Sequence, residues 1–183
     1  MRVIAGLYKG RVLHTVKDLS VRPATGRVKQ TVFDILVNRM DLAGARVLDL
    51  FAGSGSLGIE ALSRGASRVV FVEENEQAAS CIEDNLELLG CVASAEIHSV
   101  DAMAFHAPEG RPFDLVFADP PYAFSSTPEI PGMIASEGML RRDGYLVIEH
   151  STGTEFPAND TYAVGPVKRF GRTAVTFFRS TSS

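Results

Sequence analysis

The chain has 183 residues, 45% of them hydrophobic and 22% charged, which is the size and composition of one globular domain and excludes a disordered or fibrous protein. Two cysteines, Cys81 and Cys91, stand apart with no CxxC or Cys/His cluster around them, so two buried reduced thiols are expected and not a zinc site or a disulfide scaffold. No apolar run approaches ~18 residues and the N-terminus lacks a signal-peptide core, so a cytoplasmic protein is expected.

The formal net charge of −4 is unevenly spread. Residues 1–46 hold nine Lys/Arg and three acids, a net of +6; residues 47–183 hold nine basic and nineteen acidic residues, a net of −10. A basic N-terminus of this kind either binds phosphate or docks on the acidic body, and charge alone does not choose between them.

In chain order, residues 2–5 and 11–16 read as a hairpin. Arg27–Met40 keeps helical spacing through Val28, Val32, Phe33, Leu36, Val37 and Met40. Strand–turn–helix repeats follow: a strand at Val47–Phe51, a helix at Leu57–Arg64, a strand at Arg68–Val72, and a helix at Glu76–Leu89 stopped by Gly90. Strands are expected at Ala95–Val100, Phe113–Ala118 and Tyr145–Glu149. Pro128–Leu140 reads as helical but interrupted by Pro131 and Gly132, and 164–170 with 173–179 reads as a closing antiparallel pair. The pattern predicts an α/β protein: a mostly parallel sheet with helices on both faces, built as one domain with an N-terminal extension (1–44) ahead of a core (45–179). Ligands of such sheets bind where the strands end. Asp49, Glu73, Asp101 and Asp119 all fall at or just past strand ends, so four acids should share one edge.

The stretch Asp49-Leu50-Phe51-Ala52-Gly53-Ser54-Gly55-Ser56-Leu57-Gly58 holds a GxGxxG pattern between a strand and a helix. Glycine serves where the backbone takes positive φ or a ligand approaches the main chain. Glu73, at the end of the next strand, suits the two hydroxyls of a ribose. A pyrophosphate on the following helix N-terminus would be repelled by Asp49, whereas the sulfonium and ammonium groups of S-adenosylmethionine would be attracted, so that cofactor is favoured over NAD. Asp101 suits either the adenine amino group or a helix N-cap.

Asp119-Pro120-Pro121-Tyr122 is the most specific motif. The prolines fix φ and remove two backbone donors, leaving the Pro120 carbonyl free. Asp119 and that carbonyl together can accept both protons of an amino group on a flat ring, favouring a pyramidal nitrogen with its lone pair aimed at a methyl donor. Tyr122 offers a face on which a base stacks. The four histidines show no ligand spacing, so no metal is expected, and no base with a tuned pKa is expected because the amino proton can leave after transfer.

With these motifs the chain resembles class I S-adenosylmethionine-dependent methyltransferases. More narrowly it is similar, nearly end to end, to the bacterial 16S rRNA (guanine-N2)-methyltransferase family (RsmD-like). The resemblance is carried by 2–6 with Gly10-Arg11, Arg22-Pro23, 27–36, 47–55, 58–66, 71–73, 119–122 and 168–173. It implies a Rossmann-like seven-stranded sheet and N2 methylation of a guanine in small-subunit RNA, in naked RNA or an assembling subunit. Gly53 and Gly55 would face the cofactor, together with Asp49, Phe51 and Ser54; Glu73 would hold its ribose and Asp101 its adenine. Asp119, Pro120 and Tyr122 would hold the guanine. Arg22, Arg27, Lys9 and Arg11 are expected to contact RNA phosphate. The competing readings are an adenine-N6 or glutamine methyltransferase, an NAD-dependent oxidoreductase, and a noncatalytic RNA-binding assembly factor.

Overall fold

The structure is a computed structural model that describes residues 1–16, 26–107 and 110–181. Its strands are β1 (Arg46–Leu50), β2 (Arg68–Val72), β3 (Ala95–His98), β4 (Phe113–Ala118), β5 (Leu140–Ser151), β6 (Tyr162–Phe170) and β7 (Thr173–Ser180). They form one seven-stranded sheet in the order β3-β2-β1-β4-β5-β7-β6. β1 to β5 pair in parallel, and β7 runs antiparallel between β5 and β6.

The central strands are apolar on both sides because both faces are covered. On one face Val47, Phe71, Leu115, Phe117 and Val147 pack against three helices: α1 (Gly26–Leu36) through Phe33, α2 (Ser56–Ser63) through Ile59, and α3 (Glu76–Leu89) through Ile82. On the other face Leu48, Leu50, Val70, Val116 and Ile148 meet Phe105 and, from α4 (Ile130–Ser136), Ile130 and Ile134. The expected class and sheet are therefore present, with the helices divided unequally between the faces.

Glu60, fully buried on α2, holds the N-terminal segment to this body. Its carboxylate accepts from the Ile4 and Ala5 N–H groups at 2.8 and 3.0 Å and pairs with Arg64 Nε at 2.9 Å and Lys29 Nζ at 3.4 Å. Lys29 also donates to the Arg2 carbonyl. Lys29 is itself buried, so this member of the basic N-terminal segment is structural; burial lowers its pKa against the pull of Glu60.

Several elements differ from the sequence reading. The N-terminal hairpin reduces to one bridge, Arg2 with Val12, because Glu60 and the Ser63 carbonyl take the N–H groups of Ile4, Ala5 and Leu7. α1 stops at Leu36, where Val37 turns to solvent and the Asn38 amide takes the Asp34 carbonyl. Pro131 does not interrupt α4: it lies in the first turn, where no N–H partner is required. β5 begins at Leu140, not Tyr145, because it first pairs with Phe113 and then shifts register through the positive-φ Asp143 before meeting Leu115.

Candidate active site

The sheet order sets five acids along one edge. Asp101 follows β3, Glu73 follows β2, Asp49 is the fourth residue of β1, Asp119 follows β4, and Glu149 lies near the end of β5. Side chains alternate along a strand. Glu73 shares the parity of Phe71, Asp49 of Val47, Asp119 of Phe117 and Glu149 of Val147, all of which face α1–α3. The four therefore lean toward the face from which the glycine loop and α2 rise.

The glycine loop turns through positive φ at Phe51 (57°), Gly53 (56°) and Gly55 (77°). A Cβ on Gly53 would meet nothing within 4 Å, so its Cα is open to a ligand. A Cβ on Gly55 would crowd Ile59, Ile82 and Phe71, 3.2–3.3 Å away, because the turn brings this residue under the start of α2. Gly58 lets helix and strand close up; a Cβ there would sit 2.3 Å from the Phe71 ring. Ser54 joins the loop to the N-terminal segment, its hydroxyl accepting from Val16 N–H and its carbonyl from the Asn85 amide. Phe51 is half-buried and meets Phe124 edge-on, ring centroids 5.1 Å apart.

Two of the acids hold this loop, and a third caps its own turn. Asp49 Oδ2 accepts from Gly58 N–H at 2.8 Å. Glu73 accepts from Gly53 N–H at 2.7 Å and Asn75 N–H at 2.9 Å. Asp101 caps a short 3-10 turn, accepting from Met103 N–H at 2.9 Å. Burial drives the Asp49 carboxyl up to about 8; the Gly58 N–H opposes this, and the charge of Glu73 adds to it. A buried carboxylate beside another acid suits a sulfonium or ammonium group and is hostile to a pyrophosphate, so the residues present fit S-adenosylmethionine.

Beside the loop, Asp119, Pro120, Pro121, Tyr122, Phe124, Glu149 and His150 line part of a cleft of about 270 Å³. Tyr122 is half-exposed, and its hydroxyl is held by Thr173 Oγ1 at the start of β7. Burial raises the Asp119 carboxyl far above its ordinary range, with the charges of Glu149 and Asp49 adding to it. Glu149 is pushed up by burial to about 7. The sheet thus places three carboxylates, those of Asp49, Asp119 and Glu149, together in a corner where burial raises each of them. His150 is lowered by burial, and its ring is used at both nitrogens, by the Ser151 carbonyl (2.7 Å) and Thr176 Oγ1 (2.8 Å). Among the described residues no group of His, Cys, Asp and Glu could hold a metal ion. Cys81 and Cys91 are free and buried.

A family model described as "Conserved hypothetical protein 95" matches residues 1–179. The chain is 36% identical over 152 residues to "Ribosomal RNA small subunit methyltransferase D" of Haemophilus influenzae, covering 81% of this chain and 78% of the relative. It is 32% identical to the protein of that name in Escherichia coli K12, covering 86% and 78%. The chain belongs to the ribosomal RNA small subunit methyltransferase D family. The solved structure of the Escherichia coli protein yhhF superposes with a TM-score of 0.87 at 30% identity, covering 100% of this chain and 99% of that one. The fold is that of the class I methyltransferases, and the cofactor is S-adenosylmethionine.

The basic residues of this methyltransferase divide between the two ends of the sheet. α1 and α2 run side by side in one direction, since Lys29 meets Glu60 and, one turn on, Phe33 lies under Arg64. Arg27, exposed in the first turn of α1, is therefore at the cleft end. Lys9 and Arg11 are not: Leu7 and Tyr8 bind Ser63, the last residue of α2, and Arg11 donates to the Leu88 carbonyl in the last turn of α3. That carbonyl is about 20 Å of helix from the cleft-side start of α3. Arg22 lies outside the described residues. Two features beside the cleft were given no ligand in the sequence reading. One is Glu149. The other is the exposed Lys168, Arg169 and Arg172 around the β6–β7 turn, beside the Thr173 that holds Tyr122.

Proposed function

We propose that the chain transfers a methyl group from S-adenosylmethionine to the exocyclic N2 amino group of a guanine in small-subunit ribosomal RNA, as a cytoplasmic enzyme. The observation that carries this is the pair of acceptors at the end of β4, next to the glycine loop. No donor among the described residues reaches the Asp119 carboxylate or the Pro120 carbonyl, although the neighbouring Pro121 carbonyl accepts from Phe124 N–H. The names of the relatives support RNA as the substrate class.

The bound cofactor supplies an activated methyl group on a sulfonium cation. Asp49 would neutralise positive charge beneath it, Gly53 would admit it against the main chain, Glu73 would bind its ribose, and Asp101 its adenine. Asp119 and Pro120 accept the two amino protons, hold the nitrogen pyramidal, and stabilise the positive charge that grows on it as the new bond forms. Tyr122, fixed at its hydroxyl by Thr173, stacks on the base. Holding the base in line with the methyl supplies much of the rate. Arg27 on one flank of the cleft, and Lys168, Arg169 and Arg172 on the other, would contact phosphate, and Arg22 is proposed as a further phosphate contact.

The test offers labelled S-adenosylmethionine with small subunits lacking the modification, their deproteinised RNA, duplex DNA and a protein extract. N2-methylguanine in small-subunit RNA supports the proposal; label confined to DNA or protein refutes it. Because the body is acidic outside its basic flanks, subunits should outpace naked RNA, and equal rates would count against recognition of a partly assembled particle.

A further inference from the structure

We propose that Glu149 is the acceptor that reads the ring N1–H of the target base, and so sets guanine against adenine in this cleft. The inference rests on the guanine-N2 reading and adds a residue to it.

The register of the sheet places Glu149. Ala118 pairs with Ile148 in the parallel β4–β5 ladder, so the next step along each chain sets Asp119 beside Glu149. Both follow residues of the same face, Phe117 and Val147, and both line the cleft that holds Pro120 and Tyr122. Among the described residues no hydrogen-bond donor reaches the Glu149 carboxylate, so the cleft presents three unpartnered acceptors: Asp119, the Pro120 carbonyl and Glu149. Glu149 is only partly buried and its carboxylate opens on the cleft, so it is free to accept from a ligand that brings a donor. Its upward pKa, from burial, fits a group kept short of partners.

Guanine answers this pattern. Along one edge it presents the two N2 protons and, on the adjacent ring atom, the N1 proton: three donors for three acceptors. Adenine has an amino group of similar shape, but the adjacent ring nitrogen carries a lone pair. An ionised Glu149 would meet that lone pair with its own. Sites built to hydrogen-bond a substrate proton reject analogues that lack it far more strongly than a shape difference could. His150, the next residue, cannot take this role because both its ring nitrogens are used within the sheet.

The test compares wild type with Glu149→Gln on small-subunit RNA in which the guanine methylated by wild type is either left as guanine or replaced by 2-aminopurine, which keeps the 2-amino group but has no N1 proton. Wild type should favour guanine by about 100-fold or more in kcat/KM. Glu149→Gln, whose amide can either accept from N1–H or donate to a bare N1, should bring that ratio below about 10. Its affinity for S-adenosylhomocysteine should be unchanged. An unchanged ratio in Glu149→Gln overturns the inference while leaving N2-methylguanine as the product. If the variant does not fold, wild type alone decides, since equal rates on the two RNAs overturn it. If wild type makes no N2-methylguanine in the unsubstituted RNA, the guanine-N2 reading itself fails and the inference falls with it.

Discussion

Replacing Asp49 by Asn should stabilise the cofactor-free protein while weakening it as an enzyme. The carboxyl is buried, its Oδ2 accepts from Gly58 N–H, and burial holds its pKa at about 8, whereas an unfolded Asp titrates near 3.8. A raised carboxyl pKa gives stability that is fully present below the unfolded value and is lost as pH rises toward the folded one. Between those values the native state keeps a proton that the unfolded state has released, so unfolding becomes easier by about 1.4 kcal/mol per pH unit. Asn keeps the shape and an oxygen for Gly58 but has no proton to lose. Chemical denaturation without cofactor at pH 5.5, 6.5 and 7.5 should therefore show the stability difference growing in favour of Asn, by about 3 kcal/mol across the range. The same variant should bind S-adenosylmethionine more weakly, since the charge that opposes folding is the one that attracts the cation. A stability difference that stays flat with pH would refute this account of Asp49.

Gly58→Ala should destabilise the fold by about 1–3 kcal/mol, read by thermal or urea unfolding, because its Cβ would overlap the Phe71 ring that both α2 and the sheet enclose. Glu60→Gln should cost about 3 kcal/mol, since it leaves the buried Lys29 ammonium without its counter-charge; limited proteolysis should then cut the N-terminal segment first. With Lys168, Arg169 and Arg172 all changed to Ala, RNA affinity should fall and its log–log salt slope should shrink by about 2, and Arg27→Ala alone should shrink it by about 0.7; slopes that do not move would remove these residues from the RNA surface. Single-turnover kcat/KM should climb as pH rises through about 7, where Glu149 ionises, and Glu149→Gln should flatten that limb.

Much of the site is legible before folding because parallel sheets bind ligands where their strands end. Asp49, Glu73, Asp101 and Asp119 could be placed on one edge from strand boundaries alone, and the glycine loop and Asp119–Tyr122 carry their chemistry in local sequence. What escaped depends on distant pairing. Glu149 reads as an ordinary strand residue until the β4–β5 register sets it beside Asp119. Lys29 reads as one more charge in a basic arm until Glu60, thirty-one positions later, draws it into the interior. Lys9 and Arg11 share that arm with Arg27 in sequence but lie at the opposite end of the sheet, because Ser63 and Leu88 fix where the N-terminal turn docks. The short span of strand pairing in that turn also follows from Glu60, whose carboxylate replaces the carbonyls of a partner strand.

The most direct test of the account is nucleoside analysis of small-subunit RNA after single-turnover methyl transfer by wild type and by Asp119→Ala. The account predicts one product, N2-methylguanine, made by wild type and lost in Asp119→Ala while RNA binding is retained. Methylated adenine as the wild-type product, or an undiminished rate in Asp119→Ala, would contradict it.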